Sequence, residues 1–152
     1  MRHGGSMANL KRALFLRMLD LHQATYETSR GLLGHRLLFG MPTLLLRTTG
    51  RKSGLTRTTA LVYGRDGDDL LVVGSNGGAP KSPHWVLNLE ADPEVEVQVG
   101  LRRWPATAAA LRPDHTDYER RFAICNRANR GTFAQYRRRT TRALPVVVLT
   151  PG

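Results

Sequence analysis

The sequence predicts a mainly β, α+β fold, in which about six mostly antiparallel strands form a small barrel whose openings are covered by short helices. Three observations lead there: the apolar period changes from helical to alternating after Pro42, the alternating runs are short and divided by Gly- and Asp-rich turns, and the helical stretches between them are brief. At 152 residues the chain has the size of one domain, with residues 1–8 read as an N-terminal extension or linker and 9–152 as the domain itself.

From Asn9 to about Thr28, Leu10, Ala13, Leu14, Met18 and Leu21 fall at helical spacing with Lys11, Arg12, Arg17 and Asp20 offset from them, which predicts an amphipathic helix. Such a basic helix packs on its own domain or lies on an anionic membrane surface. "GLLGHRLLFGMP" is apolar and stops at Pro42. Then "TLLLRTT" reads as a strand, "GRKSG" as a turn, "TRTTALVYG" as a second strand, "RDGDD" as a hairpin turn and "LLVVGS" as a third strand, together a meander. "SPHWVLNLEADP" predicts a short helix with Ser82 as N-cap, Pro83 at the first position and a stop before Pro93. "EVEVQV" alternates strictly, with Val95, Val97 and Val99 inward, and "RRWPATAAAL" is its antiparallel partner, weakened locally by Pro105. After Pro113, "DHTDYERRFAICNRA" is helical with Thr116 and Glu119 spaced as a capping box, "GTFAQYRRR" is a second helix, and "LPVVVLT" is a closing strand.

Charge is the strongest bulk signal. Lys and Arg number 23 against 12 Asp and Glu, a formal net charge of +11, and Lys11, Lys52 and Lys81 are the lysines among them. A field of that sign attracts polyanions, whether nucleic acid, anionic lipid or a phosphorylated cofactor. The mean hydropathy of -0.33 and the lack of an apolar run near the roughly 18 residues a bilayer span needs argue against a transmembrane segment. The single cysteine, Cys125, and the absence of a readable signal peptide point to a reducing, cytoplasmic setting.

Several kinds of chemistry lose support by their missing signatures. Histidines 3, 22, 35, 84 and 115 lack metal-site spacing, so no metal is expected, and there is neither GxGxxG nor GxSxG. What remains is a set of cations and backbone donors on two turns. Arg51, Lys52 and Arg57 flank the first, where guanidinium and ammonium groups suit a phosphate or carboxylate; a solvated basic turn is the alternative. In "SNGGAPKSP", Gly77 and Gly78 permit close backbone approach, and Lys81 with the following helix N-terminus favours negative charge; a plain glycine-rich connection is the alternative. Trp85 reads as core, while Asn88, once buried, must find partners. Tyr63, Phe133 and Tyr136 are candidates for an aromatic slot or for the core, and Arg137, Arg138, Arg139 and Arg142 form a basic run of the kind usually solvated.

Taken in order, "LLLRTTGRKSGLTRTTALVYGRDGDDLLVVGSNGGAPKSPHWVLNLEADPEVEVQVG", with "RRTTRALPVVVLTP" near the C-terminus, resembles the deazaflavin (F420)-dependent nitroreductase family of actinobacterial oxidoreductases. The resemblance implies an FMN-binding-like split β-barrel that holds coenzyme F420, an 8-hydroxy-5-deazaflavin with a phosphate and an oligoglutamate tail. It implies that Arg51, Lys52, Ser53, Arg57, Thr58 and Thr59 bind tail and phosphate, with Ala60, Leu61 and Val62 beside the ring. Val73, Gly74, Ser75, Asn76, Gly77 and Gly78, then His84, Trp85 and Asn88, would meet ring and linker. It further implies hydride transfer from C5 of the reduced cofactor to an electron-poor small molecule, with Ser75, Tyr63 and Tyr136 as the candidate catalytic groups and Phe133 and Tyr136 as substrate contacts. Phe133 aligns with a substrate-facing tyrosine and cannot donate a proton, which favours a quinone over a nitroaromatic acceptor. FMN in the same barrel is the alternative cofactor; a nucleic-acid-binding barrel is the non-enzymatic alternative, disfavoured by an aromatic content of 7%. The expected setting is cytoplasmic, with the inner face of the cell membrane as an anionic partner surface for the N-terminal helix; oligomeric state is left open.

Overall fold

A computed structural model of the chain describes residues 40–152, so the amphipathic helix expected over Asn9 to Thr28 and the extension before it lie outside the described residues. Seven strands form one antiparallel sheet: β1 Thr43–Thr49, β2 Thr56–Val62, β3 Gly64–Asp66, β4 Asp69–Val73, β5 Glu94–Val99, β6 Arg102–Leu111 and β7 Val146–Pro151. Three helices accompany them: α1 His84–Ala91, α2 Tyr118–Ala128 and α3 Thr132–Arg139.

The strand order is β2-β1-β5-β6-β7-β4-β3. The two ends of this order are neighbours in the chain, because Tyr63 alone separates β2 from β3. The sheet therefore curls until its edges nearly meet, a split half-barrel. This corrects the expected meander: the strand after the Asp66-Gly67 turn pairs with β3 and β7, and β2 pairs with β1 alone. The chain follows β1 as far as Tyr63, whose amide still donates to the Pro42 carbonyl at 3.0 Å; at Gly64, where a Cβ would come within 2.7 Å of Ile124 of α2, it passes into the β4 ladder.

Period-2 alternation then sorts side chains between two cores. Leu44 and Leu46 of β1, Leu70 and Val72 of β4, Val95 and Val97 of β5, and Val147 and Leu149 of β7 fill the barrel interior, closed by Trp85, Val86 and Leu89 of α1. Leu71 and Val73 of β4 and Val146 and Val148 of β7 face the other way, onto Tyr118, Phe122 and Cys125 of α2 and Phe133 of α3. Strands β4 and β7 are thus buried on both faces, which is why "LLVV" and "PVVVL" carry no polar alternation.

Helix starts differ from the sequence expectation. Pro83, not Ser82, occupies the N-cap of α1. The helix α2 begins only at Tyr118, because a turn closed by the His115 amide on the Arg112 carbonyl takes up the preceding residues; Glu119 pairs with Arg137 rather than completing a capping box. The Tyr118 hydroxyl donates to the Leu144 carbonyl at 2.7 Å, fixing α2 to the approach of β7.

Asp66 anchors the β3–β4 hairpin by accepting from Arg120 and Arg121 of α2 at 3.0–3.1 Å. Arg120, with Arg121, holds the Asp66 carboxyl below the usual carboxylate range. A depressed folded-state pKa stabilises the fold above the ordinary value of 3.8, and that contribution fades as pH falls through the lower folded value. Urea denaturation should accordingly find Asp66→Asn less stable than wild type at pH 7, with the difference shrinking below about pH 3.8.

Candidate functional site

The two glycine-punctuated turns expected to carry the chemistry lie at the same end of the barrel. The first, residues 50–55, is shaped by its own backbone. The Gly50 amide donates to the Leu55 carbonyl at 2.7 Å, the Gly54 amide to the Gly50 carbonyl at 2.8 Å, and the Ser53 hydroxyl accepts from the Leu55 amide at 3.2 Å. Gly54 sits at φ +72°, a left-handed conformation that a side chain resists.

Helix α1 reaches this turn through one buried amide. Asn88, 3% exposed, accepts at Oδ1 from the Arg51 backbone amide at 3.2 Å and from its guanidinium at 2.8 Å, and donates from Nδ2 to Thr48 Oγ1 at 3.4 Å. A second Arg51 nitrogen lies 3.4 Å from His84 Nδ1. Alternation on β1 explains the Thr48 contact, since Leu44, Leu46 and Thr48 share the face on which α1 packs. Arg51 is thereby fixed over the mouth of the barrel.

Two grooves meet at this point. One, of about 350 Å³, is lined by Gly50, Arg51, Lys52, Ser53, Arg57, Thr59, His84, Trp85 and Asn88. The other, of about 720 Å³, shares Arg51, Thr59, His84 and Trp85 and continues past Asn76, Lys81, Ser82, Pro83 and Leu87. Together they make one trough whose lining, among the described residues, includes Arg51, Lys52, Arg57 and Lys81 and no carboxylate. Elsewhere the carboxylates that form ion pairs do so with other arginines: Glu96 with Arg47 and Arg103, Glu90 with Arg112, Asp66 with Arg120 and Arg121, Glu119 with Arg137. Among the described residues, no acid lies within ion-pair distance of the four trough cations. Four like charges beside a tryptophan and a helix N-terminus form a site for a polyanion with an aromatic or apolar part.

The other sequence candidates divide sharply. On β2, Arg57 and Thr59 face the trough and Leu61 continues along the same side into the barrel core, so Thr58, Ala60 and Val62 belong to the opposite face. Val73 is in the outer core. Gly74 is wedged where a Cβ would come within 2.7 Å of Val86, and Ser75 is buried beside it. Asn76, Gly77 and Gly78 form a single tight turn at φ 45°, 64° and 82°, and Gly78 passes so near the Tyr136 backbone that a Cβ would lie 3.2 Å from its carbonyl oxygen. The expected aromatic slot is not formed in these grooves. Tyr63 is 8% exposed in the inner core, Phe133 is 6% exposed in the outer core with Tyr136 packed on it, and none of the three lines the trough. Their apolar neighbours on both sides of the sheet draw them inward. Cys125 is also out of play, since burial pushes its thiol up to about 12.

One participant escaped the sequence reading. Arg142, expected in a solvated basic run, is half-buried and donates to the carbonyls of Gly74, Ser75, Ala79 and Ala143 at 2.7–3.2 Å. The only signal was its place between the last helix and the closing strand. Arg137 leaves the run as well, pairing with Glu119 and lying 3.9 Å over the Phe122 ring.

Residues 18–151 match the model of the F420H(2)-dependent quinone reductase family. The chain belongs to that family. An F420H(2)-dependent quinone reductase of Mycobacterium tuberculosis is 46% identical over 141 residues, 93% of this chain and 95% of the relative. The structure of an F420-H2 dependent reductase superposes with a TM-score of 0.64 at 34% identity, covering 71% of this chain and 93% of that one. A second solved chain, described as a domain-swapped dimer, gives a TM-score of 0.66 at 29% identity, with 91% and 98% covered. Membership makes this chain an oxidoreductase and coenzyme F420 its cofactor. The trough fits that cofactor: its unpaired cations match a phosphate and an oligoglutamate tail, and Trp85 offers an apolar wall.

The Asn88–Arg51 link can be tested by two substitutions with opposite electrostatics. Asn88→Ala should lower stability by about 1–2 kcal/mol and weaken F420 binding about tenfold, because Arg51 loses its fixed partner. Asn88→Asp should keep most of the stability yet still weaken binding, since it brings a carboxylate into the trough. Thermal melts and fluorescence titration with F420 measure the two quantities separately.

Proposed function

We propose that the protein transfers a hydride from reduced F420 to a quinone or similar flat, electron-poor acceptor, with the cofactor's anionic end held in the trough. The observation that carries this reading is the trough shared by the two turns, lined among the described residues by four cations and no carboxylate and walled by Trp85. When bound, the reduced deazaflavin supplies the hydride, so the protein need provide binding, orientation and electrostatics.

Each group then has a task. Arg51, oriented by Asn88, presents a fixed guanidinium to phosphate or carboxylate oxygens, while Lys52 and Arg57 on either side of the turn add mobile and forked charge. Thr59 adds a hydroxyl on the floor, and Lys81 extends the positive surface toward the 74–79 segment. Trp85 and Leu87 keep water from one side of the bound ring. Ser75, buried at the inner end of that segment, is the hydroxyl we assign to the acceptor's oxygen. With Tyr63 and Phe133 in the cores, no phenol among the described residues stands in the trough wall to protonate an acceptor, which favours quinones, whose reduced oxygens take protons from solvent.

A basic amphipathic stretch over Asn9 to Thr28 adds a location to this chemistry: an acceptor quinone dissolved in lipid would be met at an anionic membrane surface. Among the described residues, no helix is long and apolar enough to cross a membrane.

Titration should show saturable F420 binding that weakens with added salt, and Arg51→Ala combined with Lys52→Ala should cost about 100-fold in affinity. Tighter binding of FMN in a parallel titration would exchange the cofactor, and absence of F420 binding would end the reading. For the membrane assignment, co-sedimentation with anionic liposomes is expected for the full chain and not for a chain lacking residues 1–39; equal sedimentation of both would refute it.

A further inference from the structure

The Arg142 guanidinium lies behind the 74–79 segment, and its bonds there have a directional consequence. It donates from Nε to the Ala79 carbonyl at 2.8 Å, from Nη1 to Gly74 at 3.1 Å and Ala143 at 3.2 Å, and from Nη2 to Ser75 at 2.7 Å. No carboxylate pairs with it among the described residues. In a trans peptide the carbonyl of one residue and the N–H of the next point in opposite directions, and the described chain has no cis bond. Turning the Gly74 and Ser75 carbonyls onto Arg142 therefore turns the amide hydrogens of Ser75 and Asn76 away from it.

Neither of those amides has an acceptor within the described chain. They also sit in a right-handed then left-handed pair of residues, Ser75 at φ -83°, ψ -37° and Asn76 at φ 45°, a conformation in which successive N–H groups converge into a concavity that accepts an anionic oxygen. Asn76 lines the larger groove, and its side chain donates to the Lys81 carbonyl at 3.1 Å, closing the segment over its far end. Behind the peptide units stands a cation held by their oxygens, which polarises them and strengthens the outward N–H donors.

We propose that Arg142 is a positioning residue of the redox site: it aims and polarises the Ser75 and Asn76 amides as a two-donor cradle for a negatively charged or charge-developing oxygen of the bound reactants. The inference rests on the trough being the F420 site. The oxygen comes either from the cofactor ring or from the acceptor, and the two sources separate kinetically. A ring oxygen makes Arg142 matter for F420 affinity, whereas an acceptor oxygen makes it matter for kcat at saturating F420.

The test compares wild type, Arg142→Ala and Arg142→Lys by F420 titration, steady-state reduction of a soluble quinone such as menadione, and thermal melting. Arg142→Ala is expected to lose about tenfold or more in F420 affinity or in kcat while remaining folded. Arg142→Lys should regain little, because one ammonium cannot span four carbonyls. Guanidinium ion at sub-denaturing concentration should restore part of the Arg142→Ala loss, a response that a purely structural defect does not give. Affinity and kcat within about twofold of wild type, or a loss that follows a lowered melting temperature and ignores guanidinium, would overturn the proposal. Failure of wild type to bind F420 would instead remove the cofactor reading, and this inference with it.

Discussion

The chain's central constraint is that strands at opposite ends of the sheet order are joined by a single residue. With β2 and β3 held together at Tyr63, the seven-stranded sheet cannot lie open; it must bend until its two edges share a corner. That bending creates an interior, and the interior needs a plug. Trp85, Val86 and Leu89 provide it, which fixes where α1 enters and brings Asn88 down onto β1. The binding trough is thus a by-product of closure: it lies where the plugging helix meets the first turn.

Electrostatics completes what closure begins. Acids are scarce, and the ones that make ion pairs do so at other places on the sheet and helices, where they hold the outer layer in position. Four of the cations left without acids, Arg51, Lys52, Arg57 and Lys81, share the trough at one end of the barrel. Mutual repulsion there costs the empty protein stability, and an anionic cofactor relieves it, so binding and folding favour the same ligand chemistry. Arg142 repeats the arrangement inside the backbone, a cation compensated by peptide oxygens rather than by an acid. Burial pulls its pKa below the usual arginine value, yet the four carbonyls keep the charged form in place.

The strands were legible because their signals are local. "TLLLRTT" and "EVEVQV" became strands over the same residues, Thr43–Thr49 and Glu94–Val99, and the two glycine turns fell where expected. The cations of the first turn were legible too, since Arg51, Lys52 and Arg57 flank a short turn with two glycines between runs read as strands. Pairing between neighbouring runs was legible, as β1 with β2 and β5 with β6, but pairing between distant strands was not. Nothing local says that β4 chooses β7 and leaves β2 to β1, because the choice depends on where the chain crosses from one ladder to the other after Tyr63. The aromatic residues were ambiguous for the same reason: Phe133 and Tyr63 have compositions suited to either pocket or core, and only the sidedness of the folded sheet settles it.

By itself, then, the amino-acid sequence determined which segments are extended, which turns need glycine, and that the protein carries a field that attracts anions, because these follow from periodicity, backbone sterics and net charge. The tertiary structure alone decided which arginines are paired, which are free for a ligand and which, like Arg142, act through the backbone. Those roles depend on acids and carbonyls that lie tens of residues away in the chain, and a side chain's charge carries no record of the partner that folding will place beside it.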